Sequence, residues 1–224
     1  MRQKNLAPHL RIAAFSRNFL FIFFMLLTFH ATAQPQDIFY REWVQNGGAH
    51  APDFAQPVVS VVNGSGQTYV AGSAINSAST YSMSLTKYAS GGTVSWNRTF
   101  DVNTVGSTYV GSITLDPSGN VLVAGSTYNG TTNNYDLYVV KYNSSGTKQW
   151  HQLYNGAGNS YDFAAAVKCT SNGDVFVTGG AFHTLVNLNA VTIRYNSSGT
   201  AQWTQTWDNV SLSDAGGTLA FAGS

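Results

Sequence analysis

Residues 116–150 read DPSGNVLVAGSTYNGTTNNYDLYVVKYNSSGTKQW. Asp116-Pro117-Ser118-Gly119-Asn120 is a turn cluster, with Pro and Gly where a type I or II turn takes them. Val121 to Ser126 is a short apolar run bounded by turn residues, the pattern of a strand covered on both faces. Thr127 to Asn134 reads as a polar connection, Tyr135 to Tyr142 as a strand rich in aromatics and valine, and Asn143-Ser144-Ser145-Gly146 as a second turn. Upstream, Thr108 to Leu115 alternates in polarity, and downstream Thr147 to Tyr154 holds Trp150. Four strands joined by short turns form one antiparallel meander.

The meander is written three times. Trp43, Trp96, Trp150 and Trp203 are spaced 53, 54 and 53 residues apart. A valine- and threonine-rich strand closes on Gly72, Gly125 and Gly179, and a basic–aromatic pair recurs as Lys87-Tyr88, Lys141-Tyr142 and Arg194-Tyr195. In the first copy the expected strands are Pro57–Val62, Thr68–Ser73, Tyr81–Tyr88 and Val94–Phe100, with Asn63-Gly64-Ser65-Gly66 as the first turn. In the third copy they are Phe163–Cys169, Asp174–Gly180, Ala190–Tyr195 and Thr200–Thr206, with Ser171-Asn172-Gly173 as the turn. The units run over about 54–106, 107–160 and 161–213, and 214–224 starts a fourth. A repeated four-stranded meander of this period is the sequence form of a β-propeller blade, because stacking covers sheet faces that one blade alone leaves bare. The fold class is therefore all-β, a propeller of four-stranded antiparallel blades. The blade tryptophans are expected in the seams between sheets. The connections between second and third strands, at 74–80, 127–134 and 181–189, vary between copies and are the expected place for recognition.

The strings DPSGNVLVAGST (116–127) and YVVKYNSSGTKQW (138–150) resemble the SBBP family, the seven-bladed β-propeller repeats of secreted bacterial proteins. The likeness spans about residues 43–206 and rests on turn and strand motifs. It implies an exported, repeat-built propeller and no common activity. The Gly-His and Trp-Asp pairs of WD40 repeats and the repeated double glycines of kelch repeats do not frame these units.

Both ends of the array fall inside a unit. Trp43 matches the fourth-strand tryptophans, and Asp214 to Ser224 aligns with Asp162 to Asn172, a first strand and its turn. Three whole blades are fewer than the four of the smallest propellers. The expectation is an open or incomplete ring, either the N-terminal part of a longer propeller with further C-terminal blades or one closed by self-association.

The first 33 residues read as a leader. Arg2, Lys4, Arg11 and Arg17 precede an unbroken apolar run from Phe19 to Leu27, and Ala31-Thr32-Ala33 is a small-x-small cleavage pattern. The apolar run is well short of the ~20 residues of a membrane span, so cleavage near Ala33 and a secreted, extracellular or periplasmic location are expected. Four of the eleven Lys and Arg lie in this leader, which leaves seven against ten acids, about −3, in residues 34–224. That balance provides no basic footprint for nucleic acid and no polybasic stripe for a membrane surface. Only 9% of residues are charged, which suits short strands and tight turns better than exposed helices.

No catalytic, cofactor-binding or metal-binding residues emerge. His50, His151 and His183 occupy non-equivalent repeat positions. Asp53, Asp162 and Asp214 recur near the start of first strands and Asp116 and Asp174 flank turns, which fits capping, and no Asp-x-Asp-x-Asp run exists to gather oxygen ligands for calcium. Cys169, the sole cysteine, aligns with Val62 and Leu115 and reads as a small core residue. Gly-x-x-x-Trp recurs as Gly92–Trp96, Gly146–Trp150 and Gly199–Trp203, and resembles the docking pattern of quinoprotein propellers. The paired cysteines expected near a quinone are impossible with one cysteine, and a tight turn feeding a strand accounts for the spacing. The expectation is a non-enzymatic scaffold or binding module for a protein or glycan partner. The alternatives are an extracellular enzyme, either a polysaccharide-active hydrolase or quinoprotein-like, and a non-functional remnant.

Overall fold

A computed structural model describes residues 58–101, 106–131, 133–184, 187–208 and 213–221. The expected leader, the Trp43 strand, His50 and Asp53 lie outside them. Every regular element among the described residues is a β-strand. β1 (Val59–Val62), β2 (Thr68–Ile75), β3 (Tyr81–Tyr88) and β4 (Val94–Phe100) form the first sheet. β5 (Thr108–Leu115), β6 (Val121–Asn129), β7 (Asn134–Tyr142) and β8 (Lys148–Tyr154) form the second, and β9 (Phe163–Cys169), β10 (Val175–Thr184), β11 (Asn187–Tyr195) and β12 (Ala201–Trp207) the third. All three are antiparallel meanders in sequence order.

Two chemistries set the hairpins. Each tight turn ends on a glycine with positive φ, at Gly66, Gly92, Gly119, Gly146, Gly173 and Gly199, the left-handed position of a type I turn with a following bulge. At Asp116 the carboxylate completes the loop: the Ser118 and Asn120 N–H groups donate to Oδ1, both at 2.9 Å. Asn63, Asn143 and Asn196 make the same pair of bonds in their own turns.

The second sheet is covered on both sides, as its apolar run requires. Val121, Val123, Tyr138, Val140 and Tyr142 pack with Tyr69, Ala71, Met83, Leu85 and Phe100 of the first sheet. The alternate residues Leu122, Ala124, Leu137 and Val139 pack with Val167, Val175, Val177, Val191 and Ile193 of the third. This alternation is the period-2 geometry of a strand with apolar neighbours on each face.

Trp96 and Trp150 lie in the seams, while Trp203, at the same register, is on the outer face of the third sheet. Lys87 pairs across β3–β4 with Trp96, Lys141 across β7–β8 with Trp150, and Arg194 across β11–β12 with Trp203, each beside a bulge at the same place. The Trp96 indole N–H and the Lys87 ammonium both donate to the Ser144 carbonyl oxygen in the next sheet, at 3.2 and 3.1 Å. Trp150 and Lys141 do the same to Ser197, at 3.1 and 3.2 Å. A Cβ on Gly146 would come within 2.9 Å of the Trp96 ring, and one on Gly199 within 2.6 Å of Trp150. The Gly-x-x-x-Trp spacing therefore joins successive repeats, glycine of one against tryptophan of the one before, and is more than a turn feeding a strand.

Two expectations change. The connections between second and third strands are short, because β2 runs to Ile75, β6 to Asn129 and β10 to Thr184. Their polar residues continue the ladder and satisfy one another: the Thr108 and Thr127 hydroxyls, both buried, lie 2.7 Å apart. Segment 213–221 is not a strand. It crosses the outer face of the third sheet, with Asp214 N–H donating to Leu188 O at 2.7 Å and Gly216 N–H to Gly179 O at 2.8 Å, but no following strand gives it a ladder partner among the described residues.

Candidate functional site: a tyrosine ladder across the sheets

Tyr81 opens β3, Tyr109 lies at the start of β5, Tyr135 at the start of β7, and Tyr161 just before β9. In these meanders all four positions fall at the end of the sheets that carries the β2–β3 and β4–β5 types of connection. The rings meet in series. Tyr81 and Tyr109 have centroids 5.6 Å apart, Tyr109 and Tyr135 5.8 Å, and Tyr135 and Tyr161 5.5 Å. Phe163 extends the row beyond Tyr161 at 5.8 Å, and Tyr128, directly opposite Tyr135 in the ladder, branches from it at 5.6 Å. These spacings and tilts are those of favourable aromatic pairs. The row crosses both boundaries between sheets.

Hydroxyls and amides surround the rings. Ser107 Oγ accepts from the Tyr81 N–H at 3.2 Å, and the Ser126 and Tyr161 hydroxyls are 3.2 Å apart. Tyr128 donates its hydroxyl to Asn133 Oδ1 at 2.6 Å. Asn134 and Asn155 both donate side-chain amide N–H to Asn159 Oδ1, at 3.1 and 2.8 Å. Burial holds the Tyr135 phenol above its ordinary pKa, with Tyr109 adding to the effect and Ser107 opposing it. Tyr161 is the most open ring of the row, 41% exposed, and the other three tyrosines are half-buried.

Asp162 holds Tyr161 in place. Its side chain is fully buried, Oδ2 accepts from the Gly156 N–H at 2.5 Å, and Oδ1 from the Phe182 N–H at 2.9 Å. Burial pushes its pKa up to about 6, the two N–H groups pull it down, and nearby Asp136 pushes it up again. A Cβ on Gly156 would meet Phe182 O at 2.7 Å and Asp162 Oδ1 at 2.9 Å, so the loop closes this tightly only with glycine there. With both oxygens engaged by backbone, Asp162 acts as a loop clamp.

No protein-family model matches the chain, and no curated protein sequence matches it. Among solved structures, the chain is similar to a fucose lectin from Kordia zhangzhouensis determined in complex with methyl-fucoside, at 14% identity and a TM-score of 0.40, over 68% of this chain and 100% of that chain.

His151 rests edge-on against Phe100 at 5.3 Å, and His183 is exposed at the far end of β10. Asp116 pairs with Lys141 at 2.8 Å and Asp174 with Arg194 at 2.6 Å. The first residue of one turn and the last of another thus meet cations at the same third-strand position of their own sheets. Cys169 packs against the core between the second and third sheets, where burial first and the Asp116 charge second push its thiol up to about 12. Among the described residues no group of three His, Cys, Asp or Glu is placed to hold a metal ion, and no helix is long and apolar enough to cross a membrane. The ladder itself was visible only as a spacing: Tyr81 and Tyr135 are 54 residues apart, Tyr109 and Tyr161 52. Strand starts from different sheets had to be brought to one end before that spacing became a surface.

Proposed function

We propose that the chain is an exported β-propeller module, of the SBBP kind its turn motifs resemble, that binds glycan along the tyrosine ladder. The observation that carries this reading is the unbroken ring-to-ring row from Tyr81 through Tyr109 and Tyr135 to Tyr161, edged by Ser107, Asn133, Asn134 and Asn159. A pyranose has a C–H face that stacks on an aromatic ring and a rim of hydroxyls that takes amide and hydroxyl partners. Tyrosine offers both an apolar body and a polar tip, and its two χ angles make it an inexpensive contact residue to order. The acidic balance beyond the leader disfavours nucleic acid, the other common occupant of aromatic platforms. The three stacked meanders serve as blades in this reading.

A glycan array probed with the purified chain identifies ligands, and calorimetry on the best of them measures affinity. Tyr161→Ala should weaken binding at least about tenfold, the scale of a lost anchor residue, while the melting temperature changes little because that ring is the open one. No glycan bound by the unsubstituted chain, or equal affinity in Tyr161→Ala, would sink the proposal. Export is checked separately: N-terminal sequencing of protein secreted by cells carrying the full sequence should begin at Gln34.

A further inference from the structure

Asp162 joins three parts of the ladder end formed by Tyr135 and Tyr161. Its backbone N–H donates to the Tyr135 carbonyl oxygen at 2.8 Å, which fixes the approach to β9 on β7. Its carboxylate accepts from the Gly156 N–H at 2.5 Å and the Phe182 N–H at 2.9 Å, which fixes the 155–160 loop on β10. Within that loop Gly158 N–H donates to the Phe182 carbonyl oxygen at 2.7 Å, and Asn159 Oδ1 gathers the Asn134 and Asn155 amides. Tyr161 follows directly, with its hydroxyl 3.2 Å from that of Ser126. The strand pairing does not call for an acid at this position. In the repeat register Asp162 stands where Thr108 stands, and Thr108 meets the Thr127 hydroxyl across its own sheet. The counterpart of Thr127 is Ala181, whose side chain has no polar group, and the acid at 162 turns to the loop instead. The carboxylate is fully buried, so it acts on a bound molecule only through the residues it holds.

We propose that Asp162 is the positioning residue of this end of the ladder, and that glycan binds there only while its carboxylate is ionised. The ligand in this inference rests on the glycan reading above, whereas the clamp does not. An ionised carboxylate accepts on both oxygens, but a carboxylic acid carries a proton on one of them and presents a donor there. Protonation therefore releases Gly156 or Phe182, and with it the loop that carries Asn159 and leads into Tyr161. The titratable groups around Asp162 come from each neighbouring element. They are Asp136 of β7, Tyr154 of β8, exposed His183 of β10 beside Gly158, and Asp214, whose N–H bonds Leu188 opposite Phe182. Burial first raises the Asp162 pKa, to about 6, and the Asp136 charge adds to the rise against the two N–H bonds. The ionised fraction then falls about tenfold between pH 7 and pH 5, and apparent affinity falls with the fraction competent to bind. Affinity rises with pH across this window and levels above it.

Two measurements on the full chain test this. In a nuclear magnetic resonance titration without glycan, the Gly156 and Phe182 amide protons and the Tyr161 ring protons should shift together, with a midpoint near pH 6. In the second, one glycan array is probed at about pH 7 and about pH 5, and the tightest array glycan is followed by calorimetry at both, with an expected loss of about tenfold at the lower pH. Asp162→Asn keeps one acceptor oxygen, as the protonated acid does, and should bind at both pH values as weakly as the unsubstituted chain at pH 5. Asp136→Asn leaves Asp162 in place and removes the neighbouring charge, so the midpoint of both profiles should move to lower pH, which decides the matter even where Asp162→Asn does not fold. Amides that titrate while the Tyr161 ring stays still, full affinity in Asp162→Asn at pH 7, or an Asp136→Asn profile that does not move would overturn the inference. Array glycans bound equally at the two pH values would overturn it too and leave the glycan reading standing. An array with no bound glycan at either pH removes the glycan reading, and the clamp then stands or falls on the amide and ring titration.

Discussion

Trp150 of the second sheet donates its indole N–H to the Ser197 carbonyl oxygen of the third at 3.1 Å, and its ring fills the space in which any side chain at position 199 would stand. One residue thus serves as packing and as hydrogen-bond donor, and Trp96 repeats the arrangement one sheet earlier. Trp150→Ala removes a large ring that rests on the core and frees the Ser197 carbonyl. The expected loss is about 3–5 kcal/mol, read as a lower urea midpoint. Trp150→Phe keeps most of the packing and loses the hydrogen bond, with an expected cost of about 1 kcal/mol.

Gly199 is constrained twice, by φ +84° and by Trp150 at 2.6 Å from a built Cβ. Gly199→Val should cost more than Gly119→Val, because Gly119 shares the positive φ (+77°) but has open space around it. Chemical unfolding of the two variants side by side separates backbone strain, about 1–3 kcal/mol, from the added clash. Equal losses would show that the seam does not use the absence of a side chain.

The Lys141–Asp116 pair is nearly enclosed, with the two side chains 7% and 4% exposed. Lys141→Met leaves a buried carboxylate without its cation, and about 3–5 kcal/mol of stability should be lost. Burial alone would raise the Asp116 pKa, but Lys141 and Asn120 together hold it below its ordinary value. A depressed carboxylate contributes stability that is present above its unfolded pKa and is lost as pH falls through the lower, folded value. The pair should therefore add acid sensitivity below about pH 4, and Lys141→Met should remove it in unfolding experiments run down the pH scale.

Asp162 has the opposite sign. Its folded pKa is raised from 3.8 to about 6, so between those values the folded chain holds a proton that the unfolded chain has released. Stability then decreases as pH rises through this window and levels above it, with a slope of at most about 1.4 kcal/mol per pH unit for one proton. The Asp162→Asn variant should lose this slope between about pH 4 and 6. It should also be less stable at neutral pH, since an amide nitrogen cannot accept from the Gly156 or Phe182 N–H. Urea midpoints across the window check both.

Much of the architecture could be read along the chain because its causes are local. A glycine that must take positive φ, an Asn or Asp that caps its own turn, and a run such as Val121–Ala124 act within a few residues, so β3, β4, β5 and β9 begin and end where the pattern placed them. Strand length was harder to read: Thr127 and Asn129 look like loop residues until Thr108 and Asp136 arrive as partners. The meaning of the period was also incomplete in one dimension. Lys141 and Trp150 looked like two independent markers, and in the sheet they are cross-strand neighbours aimed at one carbonyl of the next repeat.

Turn chemistry and strand periodicity, then, are properties of single segments, and residue order alone settles them. Contacts between repeats depend on which faces stack and in what register, and no short segment carries that information. The stacking put three strand tyrosines and Tyr161, just before β9, into one row and closed both faces of the second sheet.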